Sequence, residues 1–432
     1  MVVSGINEIK KLVDKFDRNK HHYQSINEEN TKIEFINPFF EALGWDVHHK
    51  KNTSARFKDV VFEDTIHIGG KAKAPDYSFR IGVEKIFFVE AKKPSVDIKQ
   101  DKKSAFQIRR YGWSAKLGLC ILTNFEELAV YETKTKPDKI QNAGIGRIKY
   151  YKYTDYVEKW NEIVSIFSRN AVLTGEFDNF VTGHQGIKKG TSEVDDEFLK
   201  EIENWRLLLA RNIALRNKEL NIEELNQAVQ LTIDRIIFLR IAEDRGIEKY
   251  EQLKNLLKLS NNNNSIYTGF IELCKKADAK YNSGLFHFTE EKGINLDADK
   301  LTPNLKIDNK IFKQIFKNLY YPNCPYEFSV ISTEILGNIY EQFLGAKIRL
   351  TPNHQAKVEY KPEVKKAGGV FYTPKYIVDY IVENTIGVLL KGKTPNQVSK
   401  MRFVDPACGS GSFLLGAFQY LIDWHIWYYS FS

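Results

Sequence analysis

The chain is poor in what a membrane or an oxidising compartment would require. Its longest apolar runs, such as Ile236 to Leu239, are a few residues long, whereas roughly 20 are needed to cross a bilayer. The first twenty residues alternate charged and apolar positions at helical spacing, with no apolar core followed by a small-residue cleavage site. Cysteine is scarce: four residues, at positions 120, 274, 324 and 408, form no CxxC pair. Neither a disulfide framework nor a cysteine zinc site is expected on that spacing; reduced thiols in a cytoplasmic protein with no membrane attachment are. His21-His22 and His48-His49 have no companions at metal-ligand spacing. No repeat of fixed period is present.

What remains is a soluble composition with a basic balance. At 432 residues the chain exceeds the size at which a single core stops growing, about 250 to 300 residues, so several domains are expected. Net charge is +8, and between Ala91 and Arg110 seven Lys or Arg residues stand against two Asp. A local positive field of that kind attracts phosphate backbones, although a solvated basic face is its commoner meaning.

Residues 1–167 mix helical and strand patterns. The stretch from Ile33 to Asp46 is amphipathic, with Gly44 at its C-terminal end. Strand patterns follow at Tyr77 to Ile81, Lys85 to Glu90, Gly118 to Thr123 and Leu128 to Glu132, and helical spacing from Ser104 to Lys116 predicts a crossover between the second and third. These alternations predict an α/β core. Residues 168–192, rich in glycine and polar side chains, read as a linker, and 193–346 read as an all-α connector. Residues 351–369 read as a polar stretch before a final α/β segment; the last region is taken as 347–432.

The sharpest chemical signal is Pro75-Asp76 followed by Val89-Glu90-Ala91-Lys92. Alternate side chains of a strand share a face, so Glu90 and Lys92 point one way and Ala91 the other. The preceding hairpin can bring Asp76 beside them. Two converging carboxylates suit magnesium, which prefers hard oxygen ligands, while an adjacent amine can position water and phosphate. On the basic helix that follows, Gln107 and Tyr111 are four residues apart and share a face.

This segment resembles the PD-(D/E)xK nuclease domains of bifunctional type II restriction enzymes and of type I motor subunits. The resemblance implies catalytic roles for Asp76, Glu90 and Lys92, active-site support from Gln107 and Tyr111, and Mg2+ held by Asp76, Glu90 and an acid of the opening helices. Glu28 is the best match for that acid and Glu29 its rival.

Near the end, Arg402 to Val404 read as an apolar strand leading into a glycine-rich turn and a helix. The string DPACGSGSFL, from Asp405 to Leu414, resembles the S-adenosyl-L-methionine motif of N6-adenine DNA methyltransferases, and Gly369-Val370-Phe371-Tyr372-Thr373-Pro374 resembles the string that packs on the cofactor's methionine end. Their order is that of the γ class. The resemblance implies a cofactor site built from Gly369, Phe371, Tyr372, Thr373, Pro374, Asp405, Pro406, Ala407, Cys408, Gly409 and Gly411. An Asn-Pro-Pro-Tyr string for the flipped adenine and a target-recognition region are lacking, and Asn37-Pro38-Phe39-Phe40 is not a substitute. The expected architecture is therefore a PD-(D/E)xK nuclease domain, the helical connector and the truncated start of a Rossmann-like methyltransferase, acting on double-stranded DNA and unable to methylate it alone. A nuclease subunit of a type I-like system and a non-enzymatic DNA-binding remnant are the alternatives.

Two further patterns read as bland. Gly387 to Thr394 matches a phosphate loop letter for letter, but a helix from Tyr376 to Leu390 runs into it where a strand is needed. The charges from Asp234 to Arg245 are expected to form ion pairs on a solvated helix face, with some arginines free to meet a DNA backbone.

Overall fold

The computed structural model describes residues 2–50, 58–62, 74–82, 84–183, 193–261, 265–281, 283–290, 298–321, 323–362 and 372–431. Two compact units emerge. The first comprises Met1–Val194, Ile236–Ile266 and Phe312–Ile331, and the second Asp195–Arg235, Tyr267–Ile311 and Ser332–Ser432.

The first unit is mixed α/β, built on a six-stranded sheet in sequential order: β1 (Val60–Phe62), β2 (Tyr77–Ile81), β3 (Glu84–Ala91), β4 (Leu119–Thr123), β5 (Glu127–Glu132) and β6 (Arg147–Lys152). Every neighbouring pair is antiparallel except β3 and β4, which are parallel and joined by the helix Lys102–Ser114. Parallel neighbours need such a crossover. Alternation divides the central strands between two cores. Phe87, Val89, Leu119 and Ile121 join Phe16, Phe35 and Trp160 on one face, while Phe88, Cys120 and Leu122 join Ile108 and Tyr111 of the crossover helix on the other. Gly112 permits that close approach, since a Cβ there would stand 2.5 Å from Cys120 Sγ.

The helix from Glu28 to Ala42 carries a π segment over Lys32–Ile36 and ends near Gly44, whose φ of +88° only glycine adopts freely. The four anticipated strands and the crossover all form, with ends shifted by a residue or two. Strands β1 and β6 are additions. The sequence of β6, RIKYYK, carries an edge strand's charge and so gives a weak apolar signal.

In the second unit, β7 (Ala346–Leu350) and β8 (Ala356–Tyr360) form an antiparallel hairpin, so part of the polar stretch is a strand. Its polar side chains alternate along a surface ribbon, which weakens the pattern. A small core joins Val378, Val382, Ile386 and Leu390 to Val398 and Ala417 of the helix Ser412–Phe431.

Four other readings are corrected or sharpened. Residues 169–183, taken as linker, contain the helices Arg169–Leu173 and Glu176–Gly183, anchored by buried Ala171 and Phe177. Residues 401–405 do not form the expected strand, and Val404 is 87% exposed. A strand requires a ladder partner, and none among the described residues pairs with this segment. The helix Ile222–Asp244 buries four of the charges expected on a solvated face: Arg235, Arg240, Glu243 and Asp244 are all at most 1% exposed. Spacing of three and four is the same for a surface pair and a buried one, so the pattern could not separate them. Finally, Gly387 to Thr394 begins inside the continuous helix from Lys375 to Leu390, so it does not leave a strand. Among the described residues no helix is long and apolar enough to cross a membrane.

Candidate active site

The acids and amines of the first unit meet at the C-terminal end of β3. Glu90 is followed by Ala91, which faces the opposite core, so Glu90 points toward the crossover helix. There Gln107 Nε2 donates to Glu90 Oε1 at 2.8 Å and lies 3.4 Å from Tyr111 Oη. Lys92 Nζ stands 2.6 Å from the same Glu90 oxygen and 3.8 Å from Glu28 Oε2. Asp76, immediately before β2, accepts the Ala91 backbone N–H through Oδ2 at 2.7 Å. That bond ties its carboxylate to the end of β3. Behind it Tyr77 Oη donates to Asn37 at 2.8 Å.

All six expected nuclease residues, Glu28, Asp76, Glu90, Lys92, Gln107 and Tyr111, are thus gathered in one place. Glu29 is not among them in the same sense: its side chain is 68% exposed and only its Oε2 approaches Lys32, at 3.7 Å.

The sequence reading missed Lys32. It lies four residues after Glu28, on the same helix face, and its Nζ is 2.6 Å from Asp76 Oδ1 with the side chain 8% exposed. A lysine one turn beyond a candidate acid, on a stretch that otherwise buries Phe35 and Ile36, was the available signal.

Burial dominates the electrostatics. It pushes the Glu90 carboxyl up to about 8, with the neighbouring Asp76 charge adding to the rise and Lys92 opposing it. Burial likewise raises Glu28, against the pull of Lys92. For Lys32 and Lys92 burial alone would favour the neutral amine, but the surrounding carboxylates outweigh it and both ammonium groups are held above the ordinary lysine value.

Glu28, Asp76 and Glu90 offer hard oxygen donors of the kind a divalent cation takes, and Glu90 Oε2 is buried with no hydrogen-bond partner among the described residues. Lys92 takes Glu90 Oε1, Lys32 takes Asp76 Oδ1, and the Ala91 N–H takes Asp76 Oδ2. No group of three His, Cys, Asp or Glu side chains among the described residues is arranged as a ready metal cluster.

The basic run is less of a surface than its charge suggests. Arg109 is 2% exposed, and Arg110 pairs with Glu327 at 3.0 Å. Lys93, Lys99, Lys102 and Lys103 remain exposed.

In the second unit the helix Thr333–Leu344 touches both glycine-containing strings. Gly337 packs on Tyr372, where a Cβ would fall 2.6 Å from the ring. One turn later Glu341 Oε1 accepts the Ser410 backbone N–H at 2.6 Å. Gly409 and Gly411 have φ of +54° and +80°, and Asp405 accepts the Ala407 N–H at 3.0 Å. Pro406, Ala407 and Cys408 are exposed, and Thr373 and Pro374 lead into the helix Lys375–Val382. Gly369 and Phe371 lie outside the described residues.

Comparison with known proteins now bears on both places. Residues 25–139 match the type I restriction enzyme R protein N terminus family, and residues 331–426 match the N-6 DNA methylase family. The type II restriction enzyme and methyltransferase RM.Eco57I of Escherichia coli is 38% identical over 98% of this chain and 41% of its own length. The chain is a homologue of bifunctional type II restriction enzyme–methyltransferases. The methylase subunit of the type I restriction enzyme MjaIX, from Methanocaldococcus jannaschii, is 27% identical over 43% of this chain and 35% of that subunit. This homologue of the bifunctional enzymes spans less than half the length of the relatives it matches.

Proposed function

We propose that the chain supplies the DNA-cutting part of a restriction-modification enzyme, a PD-(D/E)xK endonuclease that hydrolyses phosphodiesters of double-stranded DNA in the cytoplasm. The observation that carries this reading is the convergence of Asp76, Glu90 and Lys92 at the end of β3, with Gln107 fixing Glu90. In this reading Asp76 and Glu90, with Glu28 beside them, hold Mg2+, which supplies positive charge to the scissile phosphate and acidifies bound water. Lys92 orients the attacking water and balances the phosphate charge. Gln107 and Tyr111 keep Glu90 aimed, and the exposed lysines around position 100 face the DNA backbone.

Residues 347–432 are read as the beginning of a Rossmann-like N6-adenine methyltransferase domain, and residues 1–167 as the nuclease domain. Asp405, Pro406, Ala407, Cys408, Gly409 and Gly411, with Tyr372, Thr373, Pro374, Gly369 and Phe371, would hold S-adenosyl-L-methionine. Backbone amides freed by the glycines approach a ligand closely. Methyl transfer to adenine is assigned to the longer enzyme, completed by the remaining methyltransferase and target-recognition regions.

The test is nicking of supercoiled plasmid with and without magnesium. The wild-type chain is expected to nick only with the metal, and Asp76→Ala is expected to lose that activity. Equal nicking by wild type and variant sinks the assignment.

A further inference from the structure

The two lysines of the nuclease site are not equivalent. Lys92 leaves one oxygen of its partner open, since Glu90 Oε2 is buried and unbonded. Lys32 leaves none: it takes Asp76 Oδ1 at 2.6 Å while the Ala91 N–H takes Oδ2 at 2.7 Å. A cation arriving at the carboxylates therefore meets a vacant position on Glu90 and a filled one on Asp76.

The filling is itself a cation. Lys32 projects from the π segment, where an extra residue in the turn re-aims side chains and which is frequent at functional sites. Its side chain is 8% exposed and that of Asp76 is 11% exposed, so water does little to loosen the pair. An isolated carboxylate at that depth is costly, and an ammonium held against it offsets the cost when no other positive charge is present.

We propose that Lys32 occupies the position on Asp76 Oδ1 that a divalent cation would take, and so competes with that cation for the nuclease site. It rests on the reading of Asp76 as a metal ligand. The consequence is a site with a resident positive charge that must be displaced before it is loaded, so that Lys32 sets the cation concentration at which loading occurs.

A purely structural ion pair predicts something different. Removing Lys32 would then lower stability and leave cation affinity unchanged, or weaken it by letting Asp76 drift. Competition predicts tighter binding, because the variant carboxylate has lost its rival.

Calcium binding to the full chain, followed by titration calorimetry, separates these. Lys32→Met is expected to bind Ca2+ on the order of tenfold more tightly than wild type, given the strength of a close like-charge repulsion at a partly buried site. Asp76→Asn is expected to weaken binding. Lys32→Arg, which retains the charge and adds donors, is expected to bind no more tightly than wild type and serves if Lys32→Met fails to fold. Equal or weaker binding by a cooperatively melting Lys32→Met protein, with Asp76→Asn still weakening it, overturns the competition while leaving the metal site intact; so does tighter binding by Lys32→Arg. If Asp76→Asn leaves Ca2+ binding unchanged, or wild type and Lys32→Met both take up none, the ligand assignment itself fails and the proposal falls with it.

Discussion

Gln107 Nε2 reaches across from the crossover helix to Glu90 Oε1 at 2.8 Å, linking two residues 17 positions apart in the chain. Hydrogen bonds to charged groups contribute about 1.5–3 kcal/mol. Gln107→Ala is therefore expected to reduce magnesium-dependent nicking by roughly 10- to 100-fold, with little change in DNA affinity. Single-turnover cleavage alongside a binding titration checks both halves. Loss of affinity without loss of rate would place Gln107 on the DNA and not on Glu90.

Arg240 is enclosed within the first unit. Its Nη1 lies 2.7 Å from Asp244 Oδ1, its Nε donates to the Leu319 carbonyl at 2.9 Å, and its guanidinium stands 4.3 Å from the Tyr320 ring centroid. Arg240→Ala strands a buried carboxylate and is expected to cost about 3–5 kcal/mol, read by urea denaturation. A cost near zero would mean that Asp244 finds water or another cation.

Burial raises the Asp234 carboxyl to about 6, opposed by the Gln230 amide and by Arg206 and Arg235. The folded state thus holds this proton to higher pH than the unfolded chain, so the stabilisation is fully present below the ordinary aspartate value of 3.8 and is lost as pH rises through about 6. At about 1.4 kcal/mol per pK unit the swing is about 3 kcal/mol. Asp234→Asn is expected to melt higher than wild type at neutral pH, with the gap closing as pH falls toward 4. Thermal melts across that range check it, and a constant gap would refute it.

Gly409 pairs a left-handed φ of +54° with the Glu341 carboxylate, which a Cβ would strike. Gly409→Ala combines a backbone cost of about 1–2 kcal/mol with displacement of that contact. Binding of S-adenosyl-L-homocysteine, measured by calorimetry, is expected to weaken at least several-fold in the variant. Unchanged affinity would show that the turn at Gly409 is not part of the cofactor site.

The placement of side chains was legible in the sequence where one strand or one helical turn sets the geometry. Period two fixed Glu90 and Lys92 on a common face, and period 3.6 fixed Gln107 and Tyr111, because these relations need only local backbone regularity. The glycine turn from Asp405 to Gly411 was legible for the same reason. What required the tertiary structure was everything decided by a distant partner. Whether Arg240 faces water or a buried carboxylate depends on the packing around its helix, and whether Arg402 to Val404 becomes a strand depends on a neighbouring ladder. Lys32 belongs with these. Its sequence neighbours show only an amphipathic turn, and the carboxylate that gives it meaning, Asp76, lies 44 residues away, brought to it only when the opening helix settles on the sheet.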